Sequence, residues 1–154
     1  MNKIKFNVFY FLLILILSIN AISDENKKNH INIESDQLIN KKIPPTSTFI
    51  GNVYATDTIN HFWGDIMTVM YDDNYKIKLI TIENNVKLKR VNEEAIGSFA
   101  TYNPQEEIIE ILGDVTVIKD GNILKGEKLT IDLISSTSNI VGNKNSQVSV
   151  KINK

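Results

Sequence analysis

Beyond residue 30 apolar and polar residues alternate along most of this chain, and pairs of small or turn-forming residues break the alternation at regular places. In "ILGDVTVIKDGNILKGEKLTID", residues 111–132, apolar side chains recur at every second position, Asp120-Gly121 stands between the two runs, and Gly113-Asp114 and Gly126-Glu127 interrupt them. A period of two belongs to a strand with one buried face. Asp-Gly between two such runs specifies a tight antiparallel hairpin, because both turn positions take positive φ and these residues tolerate it.

The pattern repeats. A Val is followed eleven residues later by a Gly at Val53 and Gly64, at Val86 and Gly97, and at Val115 and Gly126, so the units are offset by 33 and then 29 residues. Gly51-Asn52, Asn84-Asn85 and Gly113-Asp114 precede the three valines, and Thr68, Thr101 and Thr130 hold the fourth place after the three glycines. The ends read as half units: "IESDQLI" puts Leu38 in the place of Leu129, and "IVGNK" supplies Gly142-Asn143 but has Lys144 where the Val should stand. The joints "YDDN" (71–74), "YNPQ" (102–105) and "ISSTSN" (134–139) are rich in turn formers and absorb the difference in spacing. Self-similarity of this kind marks an architecture in which each supersecondary unit buries its face against the next.

Glycine inside a strand often marks a bend. Three hairpins with a half unit at each end predict about eight long strands that fold over at the interrupted positions into two facing layers. The expected fold is all-β: a β-jelly roll or flattened β-solenoid of repeated antiparallel hairpins, with open terminal edges, over residues 31–154. Strand parity collects Phe49, Val53, Ala55, Met67, Val69, Ile80, Ile82, Val86, Leu88, Tyr102, Ile109, Ile111, Val115, Val117, Leu129 and Ile131 on one apolar inward face. Their opposites, such as Lys87 and Lys89, are largely polar. The first strand region carries Ile31, Ile33 and Leu38, and the last carries Val148, Val150 and Ile152. Unpaired backbone groups at such edges can accept a strand from another protein, and pairing of unlike edges propagates head to tail.

The first 23 residues differ from the rest. Lys3 and Lys5 precede an apolar run from Phe6 to Leu17, and Ala21-Ile22-Ser23 has the small-x-small form of a cleavage site. That is the layout of a secretory signal over 1–23, followed by a flexible linker over 24–30; an uncleaved anchor is the alternative, since the apolar stretch approaches spanning length. Either reading places the remainder outside the cytoplasm. The chain has no cysteine, which excludes disulfides and thiolate chemistry, and its net charge of −1 falls to −3 without residues 1–23. Nucleic acid is therefore not an expected partner.

"IESDQL", "FIGNV", "AIGSFATYN", "EIIEILGDVTVIKDGNILKGEKLTIDL" and "NIVGN" together resemble the OstA/LptA family of periplasmic lipopolysaccharide transport proteins, over about residues 31–145. The resemblance implies a periplasmic carrier that shields lipid A acyl chains in an apolar groove. Its implied partners are lipopolysaccharide and the jelly-roll domains of the inner- and outer-membrane export components. An anchored relative similar to the LptC component, or a ligand-free structural β-solenoid, are the other roles open to such a fold. No catalytic residue, metal site or cofactor carries over; what transfers is the inward face.

The remaining candidates are weaker. Lys76, Lys78, Lys87, Lys89 and Arg90 could meet lipid phosphates, but outward lysines more often protect strands from aggregation. Trp63, beside His61 and Phe62, suits a boundary between wet and greasy surroundings. His30 and His61 have no metal partners at useful spacing, and no nucleophile elbow or phosphate loop is present, so an enzyme is not expected.

Overall fold

The computed structural model describes residues 31–143 and 147–152, so the expected signal and linker lie outside the described residues. Ten strands and, among the described residues, no helix form the chain: β1 (Asn32–Glu34), β2 (Gln37–Lys42), β3 (Pro45–Thr56), β4 (His61–Tyr71), β5 (Ile77–Arg90), β6 (Glu93–Asn103), β7 (Ile108–Lys119), β8 (Asn122–Asp132), β9 (Thr137–Val141) and β10 (Ser149–Lys151). Strands β3 to β8 pair antiparallel with their sequence neighbours. β1 and β2 both lie on β3, and β9 and β10 both lie on β8. Each short pair thus acts as one interrupted strand, which gives the eight rungs that the repeat predicts.

The interruptions in the sequence are corners. Gly51 and Asn52, Asn84 and Asn85, and Gly113 and Asp114 all have positive φ. In each case these two residues oppose one residue of the partner, as where Ile50 pairs with Ile66 but Val53 with Gly64. A two-against-one mismatch bends the strand sharply. Repeated at one level through every rung, it folds the sheet over itself. One arm contains β2, Pro45–Ile50, the halves stacked on it and β9; the other contains β1, Val53–Thr56, the halves stacked on those and β10.

Side chains brace the corners. Asn52 Nδ2 donates to Asp36 Oδ2 at 2.8 Å, Asn85 Nδ2 to the two Asp65 oxygens at 2.9 and 3.1 Å, and Asn143 Nδ2 to Glu127 Oε2 at 3.2 Å. In the third unit Ser98 Oγ donates to the Gly113 carbonyl at 3.4 Å. The partner-strand glycines are needed for space. A Cβ on Gly97 would lie 2.5 Å from Ile111 Cγ2 and 2.9 Å from the Leu112 carbonyl.

Two details differ from expectation. The Val absent from "IVGNK" is displaced and not lost: Ser149 pairs with Lys125, which carries Val148 to the rung of Gly126. Val148 thus stands four residues later in the sequence than the repeat predicts. Strand parity also changes at the glycine step of the even strands, so Phe62, Ala95 and Leu124 face inward although simple alternation from Met67, Ala100 and Leu129 would point them out.

Candidate functional site: the apolar interior and its mouth

The space between the arms is filled by aliphatic side chains. Of the expected inward residues, Val53, Ala55, Met67, Val69, Ile80, Ile82, Val86, Leu88, Ile109, Ile111, Val115, Val117, Leu129 and Ile131 are buried, each with at most 4% of its surface exposed. Phe49 and Tyr102 are half-buried against this cluster. Ala95 and Ala100 complete it, and Phe62, Tyr71, Ile77, Leu124, Leu133 and Ile140 pack on its margin. The interior runs without interruption from the β1/β2 edge to the β9/β10 edge.

Of the residues expected to serve as edge contacts, Ile31 and Ile33 pack on the core. Ile33 lies opposite Ala55, whose side is inward. Leu38, Val148, Val150 and Ile152 are exposed, and all six positions of β2 are open to solvent. Among the described residues no strand covers the outer backbone edges of the terminal strands, and apolar side chains lie beside them.

No β-ladder crosses from one arm to the other; every described strand pairing joins neighbouring rungs within an arm or through a corner. On the side away from the corners, turns join neighbouring strands within each arm. The β3–β4 turn is built on Asp57, whose Oδ1 accepts from the Ile59 and Asn60 N–H groups at 2.8 and 2.7 Å while its Oδ2 accepts from Asn60 Nδ2 at 2.8 Å. Burial raises the Asp57 carboxyl pKa, but these hydrogen bonds, helped by nearby His61, outweigh it and hold the group below its ordinary value. Burial pushes the Tyr102 hydroxyl up, with Glu107 and Asp57 adding to the effect. Asn60 Oδ1 is buried without a hydrogen-bond partner among the described residues.

Beneath this turn lies an apolar cavity of about 20 Å³, lined by Ile31, Ala55, Phe62, Met67, Ile80, Ile82, Asp57 and Tyr102, which belong to both arms. Above it the mouth opens into clefts of about 340 and 300 Å³. Asp57, Asn60 and Arg90 of one arm face Glu107, Leu133 and Ser136 of the other across the first. Among the described residues no group of His, Asp or Glu could hold a metal ion, and no helix is long and apolar enough to cross a membrane.

The fold is that of an all-β jelly roll whose two arms enclose a continuous apolar interior. The sequence matches the model of the LptA/(LptD N-terminal domain) LPS transport protein family over residues 32–137, and the chain belongs to that family. It is a family of transport proteins and not of enzymes. Among curated proteins none matches the chain. Among solved structures, the chain is similar to LptH from Pseudomonas aeruginosa, described as the LptA-homologous periplasmic component of the conserved lipopolysaccharide transport device. The TM-score is 0.73 at 17% identity, over 82% of this chain and 96% of that one.

Proposed function

We propose that this lipopolysaccharide transport protein works in the periplasm as a carrier domain, sheltering acyl chains between its two arms and handing them along a bridge of similar jelly rolls. The observation that carries this reading is the unbroken apolar interior, flanked at both ends by strand edges that no other described strand pairs. Each methylene moved out of water contributes about 0.8 kcal/mol, so a lipid with several long chains needs continuous cover in an aqueous compartment. An interior lined by aliphatic residues supplies it and leaves the sugar headgroup outside.

The arms are packed on one another, so loading requires them to part. The architecture favours parting at the mouth. No backbone ladder has to break there, and hydration of Asn60 Oδ1 on opening would satisfy a group that is otherwise orphaned, a gain of about 1–3 kcal/mol against the lost apolar contacts. On that reading a hydrocarbon end would enter first beside the small apolar cavity behind Asp57 and Tyr102. β2 and β10 are the surfaces on which the jelly-roll domains of the inner- and outer-membrane components, or a second copy of this chain, would add a strand.

A photocrosslinking residue at Val86, Val115 or Ile131 is expected to capture lipopolysaccharide, and one at the outward Thr116 to capture far less. Equal capture of chains from both parities, or none from the interior, would leave a ligand-free structural solenoid as the better account.

A further inference from the structure

The outer face of the arm bearing β1 and β10 carries a group of residues that the apolar interior does not use. Tyr54, Trp63 and Lys87 are register partners on β3, β4 and β5, and His61 pairs with Lys89 one step nearer the mouth. The Tyr54 and Trp63 rings are 5.2 Å apart between centroids, His61 lies 6.2 Å from Trp63, and the Tyr54 hydroxyl is 2.8 Å from His61 Nδ1. Lys87 Nζ sits 5.2 Å from the Trp63 ring centroid and is also paired with Glu94 at 3.2 Å. These contacts hold the rings at fixed positions on a rigid sheet. Beside them, Lys89 and Arg90 form no ion pair among the described residues.

Position gives this group its meaning. An outer cleft of about 460 Å³ is lined by His61, Trp63, Lys89 and Arg90, and also by Ile59 and Val91 at the tips of two turns. Ile59 and Arg90 line the mouth cleft as well. Mouth and outer cleft therefore adjoin, with Ile59 and Arg90 between them on one lip of the protein. Ile59 and Val91 are 54% and 86% exposed on that lip, which gives an aliphatic crossing point between a greasy interior and a polar exterior.

We propose that this outer cleft binds the phosphorylated sugar portion of the transported lipid, which leaves the mouth, turns over the Ile59–Val91 lip and rests on the aromatic group. The inference builds on the carrier reading above. A sugar ring offers a weakly apolar C–H face that suits indole and phenol rings with polar edges. Its phosphate suits an Arg guanidinium and a Lys ammonium, which form no ion pair among the described residues although Glu93 and Glu94 stand opposite them in register. A purely apolar partner would leave Lys89 and Arg90 desolvated, and a nucleic acid would call for a wider basic surface than a chain of net charge −1 provides. A phosphorylated saccharide uses the rings and the cations together.

Trp63 is the only tryptophan in the chain, so its emission reports directly on the cleft. The purified protein is titrated with acyl-free phosphorylated oligosaccharide prepared from lipopolysaccharide, with the same oligosaccharide after dephosphorylation, with inorganic phosphate, and with phosphatidylglycerol vesicles. The expected result is a saturable change of Trp63 emission with the phosphorylated oligosaccharide. Binding should weaken roughly tenfold on dephosphorylation and by a similar factor in Lys89→Glu/Arg90→Glu, the loss of a charge-assisted contact. Trp63→Leu, followed by calorimetry, should bind still more weakly with an unchanged far-ultraviolet circular dichroism spectrum; should it fail to fold, the charge variants carry the test. Undiminished binding by the charge variants, a response to inorganic phosphate as strong as to the oligosaccharide, or a response to vesicles but not to the oligosaccharide would overturn the proposal. Because the probe has no acyl chains, this outcome is independent of crosslinking at Val115, and the two readings fail separately.

Discussion

Replacing Gly113 by Ala tests whether the corners set the fold. Gly113 has φ +82, and a Cβ there would lie 2.8 Å from Ser98 Oγ and 2.9 Å from Ser98 Cβ. The left-handed backbone costs an L-residue roughly 1–2 kcal/mol. The stiffer unfolded chain returns about 0.4–1 kcal/mol. Overpacking adds on the order of 1–3 kcal/mol, towards the low end here because Ser98 is exposed and can yield. A net loss of about 1.5–3 kcal/mol lowers the melting temperature by roughly 5–15 °C for a domain of this size. Thermal unfolding followed by circular dichroism reads the shift. The double variant with Ser98→Gly should recover the steric part and leave the backbone part, so the two substitutions should couple. Asn84 occupies the same corner position in the second unit at φ +61, and Asn84→Gly should leave stability within about 1 kcal/mol of the parent. A Gly113→Ala protein that melts with the parent, or costs that simply add, would mean that the corner is soft and that the bend is imposed from elsewhere.

Three further outcomes follow from the structure. Asp57 has a lowered carboxyl pKa in the folded protein, so its contribution to stability is present above the ordinary carboxyl value of 3.8 and is lost as pH falls through the lower folded value. Asp57→Asn should therefore be less stable than the parent near neutrality, with the gap closing below about pH 4, and a gap that stays constant down to pH 2 would contradict the assignment. Deleting residues 146–154 removes β10 and should impair pairing with a downstream jelly roll in a pull-down, while unchanged pairing would reject that edge. Mass spectrometry of the exported protein should find residue 24 at its start; an intact Met1 would favour an anchored form.

Most of the fold was legible because its grammar is local. Alternation named the strands, and Gly113-Asp114 and its counterparts named the corners, since few other residues accept two successive positive φ values. The inward face was legible on the odd strands, where parity survives the two-residue corner. It was misread on the even strands before the glycine, so Phe62, Ala95 and Leu124 were missed; the signal was present, because Gly97 and Gly126 lack the side chain that a neighbouring rung's Ile111 and Ile140 replace. The later position of Val148 was hidden because a change of spacing between two alternating segments leaves no periodic trace. The turn on Asp57 could not be recognised as a seam, since nothing local shows that it meets Glu107 and Ser136 across the mouth.

Because every rung is paired only with the rungs beside it, the protein's length is modular. One more hairpin inserted between β6 and β7 would extend the apolar interior by two strand spacings, roughly 9–10 Å, without asking anything of the remaining strands. Its width, set by the doubled left-handed residues at each fold, has no such freedom. Distance is thus the dimension that duplication can tune, while the separation of the two arms stays constant.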